Sequence, residues 1–103
     1  MKSYQLSWKT RALKRLDGIV EEISKRWNIT AVDNYLEAIK EREQVLTRFP
    51  EAFPLLKQDE GIRRTIINGR TVIFYEVDYQ NNVVEILSVY DTNQDPDSFS
   101  LRE

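Results

Sequence analysis

The chain has 103 residues, of which 41% are apolar and 31% charged, with a net charge of −2. That is one domain with a modest core, and it is not the composition of a disordered chain. It contains no cysteine and no histidine. Disulfides, thiolate chemistry, the usual general base near neutral pH and the commonest metal ligand are thereby excluded.

No apolar run approaches the roughly 20 residues needed to cross a bilayer. The start, Met1-Lys2-Ser3-Tyr4-Gln5, is too polar to open a secretory signal. A soluble, cytoplasmic protein with no membrane partner is expected. Residues 1–49 carry 10 Lys+Arg against 7 Asp+Glu, and residues 50–103 carry 5 against 10. Neither half has the charge of a strong polyanion binder.

Tyr4, Leu6 and Trp8 alternate with polar residues over 3–8, a short strand with one buried face. From about Thr10 the period changes. Ala12, Leu13, Leu16, Ile19, Val20, Ile23 and Trp27 recur at spacings of three and four, one apolar stripe of an amphipathic helix. Asn28-Ile29-Thr30 breaks it, with Thr30 as the expected N-cap of a second helix. That helix carries Val32, Leu36, Ile39 and Leu46 on a stripe and closes at Pro50, which forces residue 49 out of the α region. The pair reads as an αα-hairpin.

After the turn segment Phe49-Pro50-Glu51-Ala52-Phe53-Pro54 and a polar loop, three β-type runs follow. Ile62–Ile67 ends in Asn68-Gly69, a strong hairpin signal. Arg70–Asp78 is rich in β-branched and aromatic residues, and Asn81-Asn82 offers a tight turn before Val83–Tyr90. Pro96 argues against a further central strand, so a polar tail is expected from about Asp91. The fold class is α+β, in the order β-α-α-β-β-β, with the two-helix hairpin packed on one face of a small antiparallel sheet. The chain forms a single domain over 1–103. Simple alternation would put Val84, Ile86 and Tyr90 on one side of the last strand and Val83, Leu87 and Val89 on the other. Strands apolar on both faces need cover on both. The helices cover one face, and the tail or another chain covers part of the second.

These elements resemble the RelE/ParE toxin family of type II toxin–antitoxin systems, closer to its ParE-like members. The resemblance rests on several stretches. Trp8 precedes Ala12, Leu16 and Ile19; Phe49-Pro50 is followed by Phe53-Pro54; Ile62-Arg63-Arg64 opens the meander; Val72–Val77 is its central strand. Ile86-Leu87-Ser88-Val89-Tyr90-Asp91-Thr92-Asn93-Gln94-Asp95-Pro96 is its final strand and tail. It implies a toxin neutralised by a cognate antitoxin, and one of two activities. ParE-like members inhibit DNA gyrase by binding. RelE-like members cut messenger RNA on the ribosome. A degenerate member would bind its antitoxin and poison nothing.

Metal-free RNA cleavage needs a base, cations for the developing phosphate charge and an acid for the leaving oxygen. Val72, Ser88, Asp91 and Asn93 stand where nuclease relatives tend to place cations or a proton donor. Arg63, Arg64, Arg70 and Tyr90 remain as catalytic candidates for the nuclease reading. The residues expected to meet a partner are Lys14, Arg15, Arg64, Tyr75 and Tyr90. The basic first helix, with Lys9, Arg11, Lys14, Arg15, Lys25 and Arg26, is a surface for an acidic antitoxin or gyrase. Equally, it is a solvated face with Glu21 and Glu22 as i,i+4 partners of Lys25 and Arg26. No cofactor and no metal are expected, and the sequence favours binding over catalysis.

Overall fold

A computed structural model describes residues 3–56 and 61–91. The order of elements is β1 (Gln5–Trp8), α1 (Thr10–Arg26), α2 (Ile29–Arg48), β2 (Ile62–Ile67), β3 (Thr71–Asp78) and β4 (Val83–Asp91). This is the order the hydropathy periods predict. The expected tail beyond Asp91 lies outside the described residues.

α1 turns Ala12, Leu16 and Ile19 toward the sheet, at spacings of four and three. The rest of its predicted stripe spans too wide an arc for one contact. Leu13 is 45% exposed and Trp27 66% exposed. α2 is capped by Asn28, not by Thr30. The Asn28 backbone is extended, and its side chain accepts a hydrogen bond from the Ala31 amide at 2.9 Å. That amide is the third of the helix, which a cap side chain reaches most readily, so Thr30 falls inside the first turn. Val32, Ile39 and Leu46 are buried, whereas Leu36, predicted with them, is 41% exposed. Phe49 leaves the α region at φ −132°, ψ 66°, as a residue before proline must.

β2 and β3 are joined by Asn68-Gly69, both with positive φ (53° and 69°), closed by the Arg70 amide donating to the Ile67 carbonyl at 3.1 Å. This is the type I′ geometry that an Asn-Gly pair favours. The β3–β4 turn is held by Asp78, whose carboxylate accepts from the amides of Gln80 and Asn81 and from the Asn81 side chain. These hydrogen bonds, that from the Asn81 side chain foremost, hold its pKa below the usual carboxylate value.

The sheet order is β1-β4-β3-β2. The meander β2-β3-β4 is antiparallel, as expected, but β1 joins β4 in parallel, from Gln5 opposite Val83 to Trp8 opposite Ile86. The sheet is therefore mixed. The two helices and the first two meander strands separate β1 from β4, and a connection that long allows parallel pairing.

One irregularity reorients the end of β4. Tyr75 lies opposite Ile86 but Phe74 lies opposite Ser88, so Leu87 is an extra residue, a β-bulge. Strict alternation fails there. Val84, Ile86 and Val89 share the helix-covered core with Ile73 and Tyr75, while Leu87 and Tyr90 join Ile62 and Phe74 in a second cluster. This corrects the side expected for Tyr90 and for Val89. Phe74 lies on that second face by simple alternation in β3, between Ile73 and Tyr75.

Candidate partner-binding site

β1 pairs with β4 only as far as Ile86, and the Lys9 amide donates to the Ile86 carbonyl at 3.0 Å. α1 starts at the next residue and so runs alongside the second half of β4. Arg11 and Arg15, four residues apart and therefore neighbours on the helix, both reach Tyr90. The Arg15 guanidinium carbon lies 4.1 Å above the centre of the Tyr90 ring. Arg11 donates to the Tyr90 hydroxyl at 3.4 Å. Phe74 meets the ring edge-on, with centroids 6.0 Å apart and planes at 66°. Tyr90 is consequently 2% exposed. Thr10, Arg11, Lys14 and Arg15 line a shallow open depression of about 550 Å³ beside it.

The other predicted residues fare differently. Arg64, on the face opposite the helices, lies across from Phe74 and is exposed. Arg63 points the other way. Its guanidinium donates to the backbone carbonyls of Phe53 at 2.7 Å and Glu51 at 3.4 Å, which ties the turn after α2 to β2. Arg70 follows the hairpin turn and is exposed there. Tyr75 is fully buried under the helices, and its hydroxyl donates to the Pro50 carbonyl at 2.7 Å. Burial pushes its pKa up to about 12. The expectation that Tyr75 meets a partner is thus corrected, because its odd position in β3 puts it on the core face. Four residues of the predicted set surround one surface: Lys14, Arg15, Tyr90 and, further along the sheet, Arg64.

Of the positions weighed for phosphate chemistry, Val72 lies opposite Tyr90, Ser88 opposite Phe74 and Asp91 opposite Thr71. Asn93 lies outside the described residues. Asp91 lies with Thr71 on the helix-covered face, whereas the face of Val72 and Ser88 carries Glu76 opposite Glu85, and Lys9 pairs with Glu85 at 3.4 Å. At the far end of α1, Lys25 is paired with Glu21 at 3.3 Å, the i,i+4 partnership anticipated from the sequence. Phe74 was not among the predicted site residues, and Arg11 was named only with the basic face of the first helix. The spacing of Arg11 to Arg15 was readable, but its target depended on the bulge. Among the described residues there is no group of Asp and Glu placed to hold a metal ion, and no helix long and apolar enough to cross a membrane.

This architecture has relatives. The sequence pattern of the family described as "ParE toxin of type II toxin-antitoxin system, parDE" matches residues 6–96. The chain belongs to the ParE toxin family. The ParE match covers every described element of the fold from Leu6 onward. No curated protein matches the sequence. Solved structures do. The chromosomal ParDE toxin–antitoxin system of P. aeruginosa is similar with a TM-score of 0.73 at 15% identity, covering 88% of this chain and 98% of that one. The isolated RelE toxin of E. coli gives 0.59 at 20% identity, covering 93% and 92%. The archaeal RelE–RelB complex of Pyrococcus horikoshii gives 0.56 at 16% identity, covering 90% and 99%. At these identities the likeness is one of fold, common to ParE and RelE toxins alike, and function rests on the site.

Proposed function

We propose that this ParE-family chain is a toxin that acts by binding a macromolecular target, with DNA gyrase the candidate, and that a cognate antitoxin neutralises it in the cytoplasm. The observation that carries this reading is how the candidate catalytic groups are used. Arg63 is committed to two loop carbonyls. Tyr90 is enclosed by Arg11, Arg15 and Phe74, with Val72 across from it. An RNA 2′-hydroxyl would need a base and several cations converging on one phosphate. The exposed groups near this buried cluster are instead the cations Lys14 and Arg64, set apart from one another, which suits a protein partner.

The neighbours solved as ParDE and RelE–RelB complexes support the antitoxin pairing. One observation favours a second reading as a ribosome-dependent endoribonuclease: Arg64 and Tyr90 lie on the same sheet face. The test is induced expression with and without the neighbouring antitoxin gene. Chromosome breaks that depend on gyrase support the binding reading. Primer extension that finds new cuts in ribosome-bound messenger RNA, lost in Arg64→Ala or Tyr90→Phe, overturns it. A chain that binds antitoxin and does neither is the degenerate form.

A further inference from the structure

α1 carries its charge unevenly. From Lys9 to Arg15 there are four cations and no carboxylate, and the first turn of the helix holds no acidic residue. Lys9 is engaged by Glu85. Arg11, Lys14 and Arg15, at i, i+3 and i+4, share one helical face, where like charges a few ångströms apart repel. All three line the depression beside Tyr90. At the distal end of the helix, Lys25 is paired with Glu21.

Two of the three proximal cations are also held in place. Arg15 is laid on the Tyr90 ring and Arg11 is hydrogen-bonded to its hydroxyl. A guanidinium fixed in this way loses little further freedom when a carboxylate docks, and its planar fork matches a carboxylate with two parallel N–H···O bonds. Lys14, exposed at the outer rim, adds a point charge. The group is built to receive two or three negative charges within one or two helical turns.

We infer that the Arg11–Lys14–Arg15 face of α1, beside Tyr90, seats a short acidic segment of the antitoxin. Protein carboxylates fit better than a nucleic acid because the positive zone is small. A phosphate backbone running off it along the sheet meets Glu76 and Glu85, whereas an acidic stretch of a few residues ends before them. This rests on the antitoxin pairing proposed above and adds where the antitoxin's charge lands.

The test is titration of the wild-type chain and its variants with the purified antitoxin encoded beside it, at several salt concentrations. Lys14→Glu is expected to weaken binding about tenfold and to flatten the salt dependence, mainly through a slower association rate. Arg15→Gln is expected to act in the same direction. Lys40→Glu reverses an exposed cation on α2, outside the depression, and should leave the affinity within about twofold. Should Arg15→Gln melt early, Lys14→Glu at its exposed position carries the result. Unchanged affinity and salt slope in Lys14→Glu overturn this inference while leaving the antitoxin pairing intact. Failure of the wild-type chain to bind the antitoxin overturns both. Tight binding of an RNA or duplex DNA oligonucleotide that the same substitutions abolish assigns the face to nucleic acid and also overturns it.

Discussion

Tyr75 and Tyr90 are both sheet tyrosines removed from solvent, yet the protein buries them by opposite means. Tyr75 faces the helices, among aliphatic side chains, with its hydroxyl on the Pro50 carbonyl. Tyr90 faces the other way and is covered by the side chains of Arg11, Arg15 and Phe74. One face of the sheet is sealed by whole helices. The other is sealed in part by long charged side chains, whose guanidinium groups stay at the surface. The first face therefore carries most of the stability, and the second is the one proposed for recognition.

The largest effects should fall on the helix-covered side. Leu46→Ala, at a fully buried site in α2, is expected near the upper end of the range of about 2–5 kcal/mol. Leu87→Ala, in the smaller opposite cluster, is expected near about 2 kcal/mol. Denaturant titrations giving Leu87 the larger loss would reverse the roles assigned to the two faces.

Arg63→Ala tests whether that arginine belongs to the scaffold. Its two carbonyl hydrogen bonds are partly exposed, so a loss of about 1.5 kcal/mol is expected, the low end for bonds to a charged group. Toxicity per folded molecule should be unchanged. A stable variant with no toxicity would make Arg63 part of the active surface.

Tyr75→Phe leaves the buried Pro50 carbonyl without its donor and should cost about 1–3 kcal/mol. Its pH signature is specific. The folded hydroxyl titrates near 12, while a free tyrosine titrates near 10. The folded state thus keeps a proton that the unfolded state releases. This contribution is fully present below pH about 10 and is lost as pH rises toward about 12. Tyr75→Phe should remove part of that alkaline decline. Tyr35, also raised chiefly by burial, leaves a residual slope.

The smallest effect is expected at Arg15→Gln, about 0.5–1 kcal/mol from its contact with the Tyr90 ring. A loss of several kcal/mol would show that the arginine cover belongs to the core.

Much of this architecture was legible in the sequence because it depends on local periods and turns. The spacings of Ala12, Leu16 and Ile19, the pre-proline exit at Phe49 and the Asn68-Gly69 turn each act over a few residues. What the sequence withheld was set by pairing between distant strands. Leu87 looks like any alternating residue, and only its register against Phe74 and Tyr75 makes it a bulge that turns Tyr90 toward Arg15. The Asn28 cap was missed because Thr30 is an equally good cap type, and the choice depends on where α1 releases the chain. That Lys14 and Arg15 lie on a basic helix face could be read from charge and spacing alone. Tyr75 could not be excluded without knowing which face the helices cover.

The parallel pairing of β1 with β4 has a consequence for synthesis. The two-helix hairpin and the β2–β3 hairpin can form from neighbouring residues as the chain emerges. β1, made near the start, has no partner until Val83–Ile86 have been made. Such distant pairing slows folding and leaves a strand edge exposed in the meantime. β4 is also the strand that brings Tyr90 to the arginines of α1. The last strand of the described fold thus completes the sheet and the proposed recognition surface in one step. A nascent chain stalled short of it is an unfinished sheet with an open edge, not a weaker toxin.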